Sequence, residues 1–391
     1  MRIVLTGYGS RGDVEPCTTA GRELQRRGHD VRMAVSPHLV EWVESAGLAA
    51  VAYGPDTQSM RDEDLAIFNS PNKIGALPKM FDYMRGVWTE KAAALMPLAG
   101  DADLLVSMGS ELDVVATVAE YHGIPVAGLH YCPPEALPVG WLDRTITHEV
   151  KSAQRRGLGL PETGETPAPF LEIQAYDPLC FPALEDHWGE RAAWRPFVGA
   201  LTLESPTDAD DTILAWVEEG PPPIFFGFGS TPVPSFADTV AMIDGACAEL
   251  GERALIFAGP NEFAEIGHGD HVNVVGGGKH AAVFPLCRAV VHHGGAGVTA
   301  AGLRAGVPAL ILWWWLDQPY WAAAIQHLGV GGGRCFRSIT GQSLVEDLRF
   351  VLAPEHAARA REVADQSRTP AQSAAAAADL LEQAVQAARP G

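Results

Sequence analysis

Short apolar runs alternate with helical stretches twice along this chain, and that rhythm limits its fold more than any other feature. The first series runs from strand-like Ile3 to Thr6, through a helix at about Pro16 to Arg27 closed by Gly28, to a strand at Val31 to Val35. A helix at Leu39 to Ala46 and a strand at Leu48 to Tyr53 follow. The series ends with a strand at Leu104 to Ser107, a helix at Val114 to Tyr121 and a strand at Ile124 to Leu129. Such alternation predicts a parallel sheet covered by helices on both faces. A second series opens with a strand at Ile224 to Phe228, a helix at Phe236 to Leu250 and strands at Ala254 to Ala258 and Val272 to Val275. It continues with helix His280 to Leu286, strand Ala289 to His292, helix Val298 to Ala305, strand Ala309 to Leu312 and helix Pro319 to Leu328.

Length agrees with two such domains, since 391 residues are long for one core and ample for two. Turn formers and acids collect at 203–223, which places a linker between domains at 1–202 and 224–370. The alanine-rich end, 371–391, reads as a final helix with an apolar face through Leu380, Leu381 and Val385. From Gly54 to Met96 and from Tyr131 to Ala175 the pattern dissolves. Long loops or small helices are expected there, forming the variable wall of a binding site.

Hydrophobic residues at 47% and charged residues at 19% describe a soluble globular protein. A formal charge of −20 repels nucleic acid and anionic lipid, so any bound phosphate needs a local site. Six scattered cysteines make no C-x-x-C pair, which suits a reducing cytoplasm and suggests neither disulfides nor a cysteine zinc site. Neither a signal peptide nor a membrane-spanning run is visible.

Between Val291 and the helix expected at Val298 stands His292-His293-Gly294-Gly295-Ala296-Gly297. A strand-to-helix turn at the carboxyl edge of a parallel sheet is where such folds bind ligands. Free amides and the helix dipole favour an anion there, and glycine lets it approach the main chain. The other reading is a tight packing turn with core histidines. A metal is not expected, because neighbouring histidine side chains diverge and no further ligand follows at i+4. Ser230 closes a similar glycine turn, Phe226-Gly227-Phe228-Gly229-Ser230, and Asp317-Gln318 opens a helix after Leu312. An anion site beside a carboxylate and an amide is what a sugar diphosphate requires, because sugar hydroxyls need acceptors as well as donors. Asp317 read alone is a helix N-cap.

The segment from His292 through Gly306-Val307-Pro308, followed by Asp317-Gln318-Pro319-Tyr320-Trp321, resembles the donor-binding signature of family 1 glycosyltransferases of GT-B fold. Gly9-Ser10-Arg11-Gly12-Asp13-Val14-Glu15-Pro16 and Gly220 to Ser230 resemble the bacterial branch that glycosylates natural products, together with sterol glucosyltransferases. The resemblance implies two Rossmann-like doubly wound α/β domains facing a central cleft, the first for acceptor and the second for donor. It implies donor contacts at Ser10, Arg11, Gly12, Ser230, His293, Gly294, Gly295, Gly297, Val298 and Thr299, with Asp317 and Gln318 on the sugar. Relatives usually carry Ser or Thr where this chain has Val298, which leaves backbone amides and Thr299 for the phosphate. UDP and TDP sugars both remain open as donors.

Transfer with inversion needs one base for the acceptor hydroxyl, and no metal or cofactor if amides and a histidine carry the diphosphate charge. The resemblance puts the base at Asp13, whose alternative role is to cap the helix expected at Pro16. Trp315, from the run Trp313-Trp314-Trp315, with Tyr131 and Trp141 from the loops, is expected to line an acceptor site for a large, mostly apolar molecule. The protein is expected to work as a monomer or weak dimer.

Gly7-Tyr8-Gly9-Ser10-Arg11-Gly12 is also a literal G-x-G-x-x-G after a strand. A dinucleotide oxidoreductase needs its helix to begin inside those glycines and an acid at the end of the second strand. With Pro16 expected to delay the helix and Val35-Ser36-Pro37 holding no carboxylate, that reading is disfavoured. A non-catalytic sugar-nucleotide binding protein is the remaining alternative.

Overall fold

The computed structural model describes residues 1–56, 73–136, 141–162, 171–203, 211–231, 233–264 and 266–388. They form two compact units, one of Met1–Ala175, Trp188–Leu203 and Pro370–Gly391, the other of Tyr176–His187 and Glu204–Thr369. No helix among the described residues is long and apolar enough to cross a membrane.

The first unit holds strands β1 (Arg2–Gly7), β2 (Asp30–Val35), β3 (Ala49–Ala52), β4 (Leu104–Met108), β5 (Val126–His130) and β6 (Leu171–Gln174). The second holds β7 (Ile224–Gly227), β8 (Ala254–Phe257), β9 (Val272–Val275), β10 (Ala289–His292), β11 (Ala309–Trp313) and β12 (Gly331–Cys335). The strand orders are β3-β2-β1-β4-β5-β6 and β12-β11-β10-β7-β8-β9, with every adjacent pair parallel. These are two doubly wound sheets of Rossmann order. Their switch points fall between β1 and β4 and between β7 and β10. Because both faces are covered, β4 and β7 are buried at every position.

Several expectations change. The first helix spans Arg11–Arg26, so Pro16 lies inside it and does not delay it. The stretch after Gly54, expected as long loops or small helices, contains the long helix Lys73–Ala99, and 131–175 contains the helix Trp141–Gly157 and β6. Within the expected linker, helix Asp211–Glu218 is tied down by Arg253, whose guanidinium lies 3.8 Å over the Trp216 ring and donates to the Trp216, Val217 and Pro221 carbonyls.

One segment groups outside its expected domain, and the C-terminal helix, expected apart from both domains, groups with the first unit. Tyr176–His187 joins the second unit, where Tyr176 and Phe181 pack edge-on against Trp321. The C-terminal helix Pro370–Ala388 returns to the first unit, burying Ala377, Ala378 and Leu381 in the core that contains Cys17, Ala20 and Leu24. Arg27 fastens it through Asp379 and Glu382, at 2.6 and 3.0 Å.

Candidate active site

In the second unit, the register of β10 on β7 sets His292 beside Gly227, so the turns that follow the two strands lie together. His292 is fully buried. Its Nδ1 accepts the Gly294 N–H at 3.0 Å, which leaves the ring proton on Nε2, a buried atom without a hydrogen-bond partner among the described residues. Burial holds this imidazole neutral, its pKa far below the ordinary value.

His293 explains two of the glycines. A Cβ on Gly295 would stand 2.6 Å from its Nε2, and one on Gly229 would stand 2.7 Å from its Cε1. The sequence reading gave this glycine freedom to an approaching anion, but here it first makes room for an imidazole. Burial pushes the His293 pKa down to about 4, so the ring is neutral at pH 7. Gly294, at φ +89°, is a packing glycine: its Cβ would meet Ile311 Cγ2 at 2.6 Å.

Helix Ala296–Ala305 starts on Gly295 as N-cap, and its first backbone bond is Thr299 N–H to the Gly295 carbonyl at 3.0 Å. The N–H groups of Ala296, Gly297 and Val298 therefore have no acceptor among the described residues, and they share the positive end of the helix. Gly297 is exposed, with nothing within 4 Å of its missing side chain. A helix start of this kind is suited to an anion, and Ser230, on the adjoining turn, is exposed. Val298 is buried and can offer only its amide. Thr299 cannot serve as the expected hydroxyl on phosphate, because it is 1% exposed and donates to the Gly295 carbonyl at 2.8 Å.

Asp317 and Gln318 lie at the same sheet edge, both buried. Asp317 occupies the N-cap position without making a capping bond; its Oδ2 instead accepts the Trp321 indole N–H at 2.8 Å. Gln318 Oε1 accepts the Trp314 and Trp315 amides at 2.8 and 3.3 Å, which leaves its Nε2 without an acceptor among the described residues. Trp314 stacks on Phe336 at 4.0 Å, whereas Trp315 is 48% exposed. Leu316, in the left-handed region at φ +53°, and Tyr320 are exposed too. A cavity of about 460 Å³ lies against Trp314, Trp315, Phe336 and Met242.

In the first unit, Ser10 is the N-cap of helix Arg11–Arg26 and Asp13 is its third residue, not a cap. Asp13 Oδ2 accepts both the Ser10 N–H, at 2.7 Å, and the Ser10 hydroxyl, at 2.8 Å. Gly9 is required beside it: φ is +128° and a Cβ would stand 2.5 Å from that oxygen. The helix thus begins inside G-x-G-x-x-G after all, but its N-terminus already holds an anion, the Asp13 carboxylate, where a dinucleotide pyrophosphate would sit. The end of β2 carries no acid. Ser36 there accepts the Gly9 N–H at 2.8 Å. Arg11 and Gly12 are exposed, Arg11 pairing with Glu15 at 3.4 Å and lying over Trp42. Tyr131 packs against the core of this unit. Trp141 opens a helix, and its side chain lies outside the described residues.

Two features escaped the sequence reading. His130, at the end of β5, has a buried Nε2 without a hydrogen-bond partner among the described residues, 3.9 Å from Glu172 Oε2, and burial lowers its pKa to about 4. Lys91 and Glu111 form a buried ion pair beside Tyr8. Neither carries a local motif, and Lys91 falls in the stretch where the alternating pattern dissolves.

Residues 3–126 match the family described as glycosyltransferase family 28 N-terminal domain, and residues 269–382 match the erythromycin biosynthesis protein CIII-like, C-terminal domain. An uncharacterized glycosyltransferase of Mycobacterium tuberculosis is 53% identical, with 100% of each chain covered. Vancomycin aglycone glucosyltransferase of Amycolatopsis orientalis is 30% identical, covering 100% of this chain and 99% of its own. Among solved structures, the glycosyltransferase VinC in complex with dTDP has the same fold, with a TM-score of 0.71 at 20% identity over 100% of both chains.

Proposed function

Since the chain belongs to the GT-B glycosyltransferases, we propose that it transfers a sugar from a UDP- or TDP-linked donor to a hydroxyl of a large, mostly apolar acceptor, with inversion and without a metal. The observation that carries this reading is the open helix start at Ala296, Gly297 and Val298. Three amides there have no acceptor among the described residues, next to His293 and the adjoining turn that ends at Ser230. Donors fixed in advance are what a developing diphosphate charge requires, and they need no reorganisation as it leaves. The Gln318 amide suits a sugar hydroxyl oxygen, and Asp317 is the carboxylate acceptor beside it.

Asp13 is the base in this reading. Oδ2 is held by Ser10, and Oδ1 has no hydrogen-bond partner among the described residues. As Oδ1 takes the acceptor's proton, the acceptor oxygen attacks the anomeric carbon and nucleoside diphosphate leaves from the opposite face. One displacement inverts the configuration. The exposed Trp315, Leu316 and Tyr320 favour an acceptor with a broad apolar surface, and the likeness to vancomycin aglycone glucosyltransferase supports the same class.

The test is transfer from UDP- and TDP-sugars to macrocyclic, phenolic, steroidal and simple sugar acceptors, read by mass spectrometry with EDTA present. Products on the apolar acceptors are expected. Transfer to simple sugars alone, or activity lost in EDTA and restored by magnesium, would contradict the proposal.

A further inference from the structure

We propose that Lys91 is a positioning residue: its buried ammonium clamps Tyr8 and so fixes the loop that presents Asp13. The inference rests on the reading of Asp13 as base. Lys91 lies on the helix Lys73–Ala99, and Glu111 lies just before the helix Leu112–His122. Both are 5% exposed, and Nζ donates to the two carboxylate oxygens at 2.9 and 2.8 Å. The same Nζ stands 3.5 Å from the Tyr8 ring centre, a desolvated cation against an aromatic face. Tyr53 adds a second ring, 5.5 Å from the ammonium and edge-on to Tyr8. The Tyr8 hydroxyl donates to the Pro55 carbonyl at 2.8 Å, so the ring is held by its face and by its tip.

Space at this point is reserved. A Cβ on Gly54 would come within 2.9 Å of Lys91 Cγ and 3.1 Å of Tyr8 Cε2. Tyr8 is followed directly by Gly9, whose missing side chain leaves the gap filled by Asp13 Oδ2, and then by Ser10, which binds that oxygen. A shift of Tyr8 therefore carries into the seat of the carboxylate. A buried ion pair is poor evidence for stability, because apolar residues of similar volume often serve as well. Clamping an aromatic ring beside the base gives this pair a use that stability alone does not supply.

Lys91→Met alone would strand a buried Glu111 and could simply unfold the chain, so the test uses Lys91→Met with Glu111→Leu. Tyr8→Leu, which leaves the ion pair in place, is the second variant. Thermal melts establish folding, and binding of UDP and TDP establishes donor affinity. Both variants are expected to remain folded with donor affinity unchanged while kcat falls about ten- to a hundredfold, the scale of a misplaced catalytic group. If Lys91 acts through Asp13, the same substitutions in an Asp13→Asn background should cost almost nothing further. A folded double variant with wild-type kcat, beside an inactive Asp13→Asn, would overturn the clamp and leave the base reading standing. Equal losses with and without Asp13 would also overturn it. Near wild-type activity of Asp13→Asn would remove the base reading and the clamp with it.

Discussion

Asp13 is held to Ser10 through one oxygen only: Oδ2 takes both the amide and the hydroxyl of Ser10, while Oδ1 has no partner among the described residues. In the proposed reaction the arrangement separates anchoring from proton transfer. Ser10→Ala removes the hydroxyl bond and keeps the amide bond. Melts should show a loss of about 1–2 kcal/mol, the range for a cap or a hydrogen bond to a charged group. Its kcat should fall by less than in any variant that removes the carboxylate. A Ser10→Ala enzyme as slow as Asp13→Asn would mean that the hydroxyl, not the carboxylate, matters.

Gly295 and Gly297 should respond in opposite ways. Gly295→Ala drives a methyl into His293, at 2.6 Å from Nε2, and should cost about 1–3 kcal/mol through overpacking while loosening the diphosphate turn. Gly297→Ala meets no protein atom within 4 Å and should raise helix stability by up to about 1 kcal/mol. Yet it sets a methyl where the donor approaches the amides. UDP or TDP affinity should fall about tenfold, roughly one charge-assisted hydrogen bond. Unchanged affinity in Gly297→Ala, with melts as expected, would place the diphosphate elsewhere.

Acid should unfold this chain earlier than its carboxylates alone require. His130 and His293 are held near 4 by burial, whereas histidines of the unfolded chain take up protons below about 6.5. Between those values the unfolded state binds protons that the native state refuses. Stability fully present above about pH 6.5 is therefore lost as pH falls toward 4. Urea midpoints measured from pH 7 to 4.5 should fall steadily. A flat profile would contradict the burial of these rings.

The sequence displayed the sheets far better than their coverings. Strands β4, β7 and β10 are continuous apolar runs because helices cover both faces, and their positions could be read to within a residue or two. Strand β12, Gly-Gly-Gly-Arg-Cys, carries no β-forming pattern. It is a strand because β11 pairs with it and because Gly333 leaves room for Ala322, whose Cβ would lie 2.6 Å from an added side chain. Helix Lys73–Ala99 was hidden by Pro78 and Pro97 within it and by a weak apolar face.

The site was legible in its residues and less so in its contacts. His293, Gly295 and Gly297 share the turn after β10, and Ser230 closes the adjoining turn after β7. Thr299, Asp317 and Gln318 spend bonds inside the protein, on Gly295, Trp321 and the Trp314 and Trp315 amides. No motif announces such internal partners, because they come from elements whose register only the fold sets. Pro16 misled in the same way. It suggested a helix start, yet the Ser10 and Asp13 side chains start the helix before it.

The most direct test of the account is the turnover of Asp13→Asn, measured beside wild type with saturating donor and an apolar acceptor in EDTA. Asparagine keeps the shape but cannot accept the acceptor's proton, so kcat should fall about a hundredfold or more, within the usual worth of a general base. UDP and TDP affinity should stay within error of wild type. Turnover within a few fold of wild type would contradict the assignment of Asp13 and the mechanism built on it.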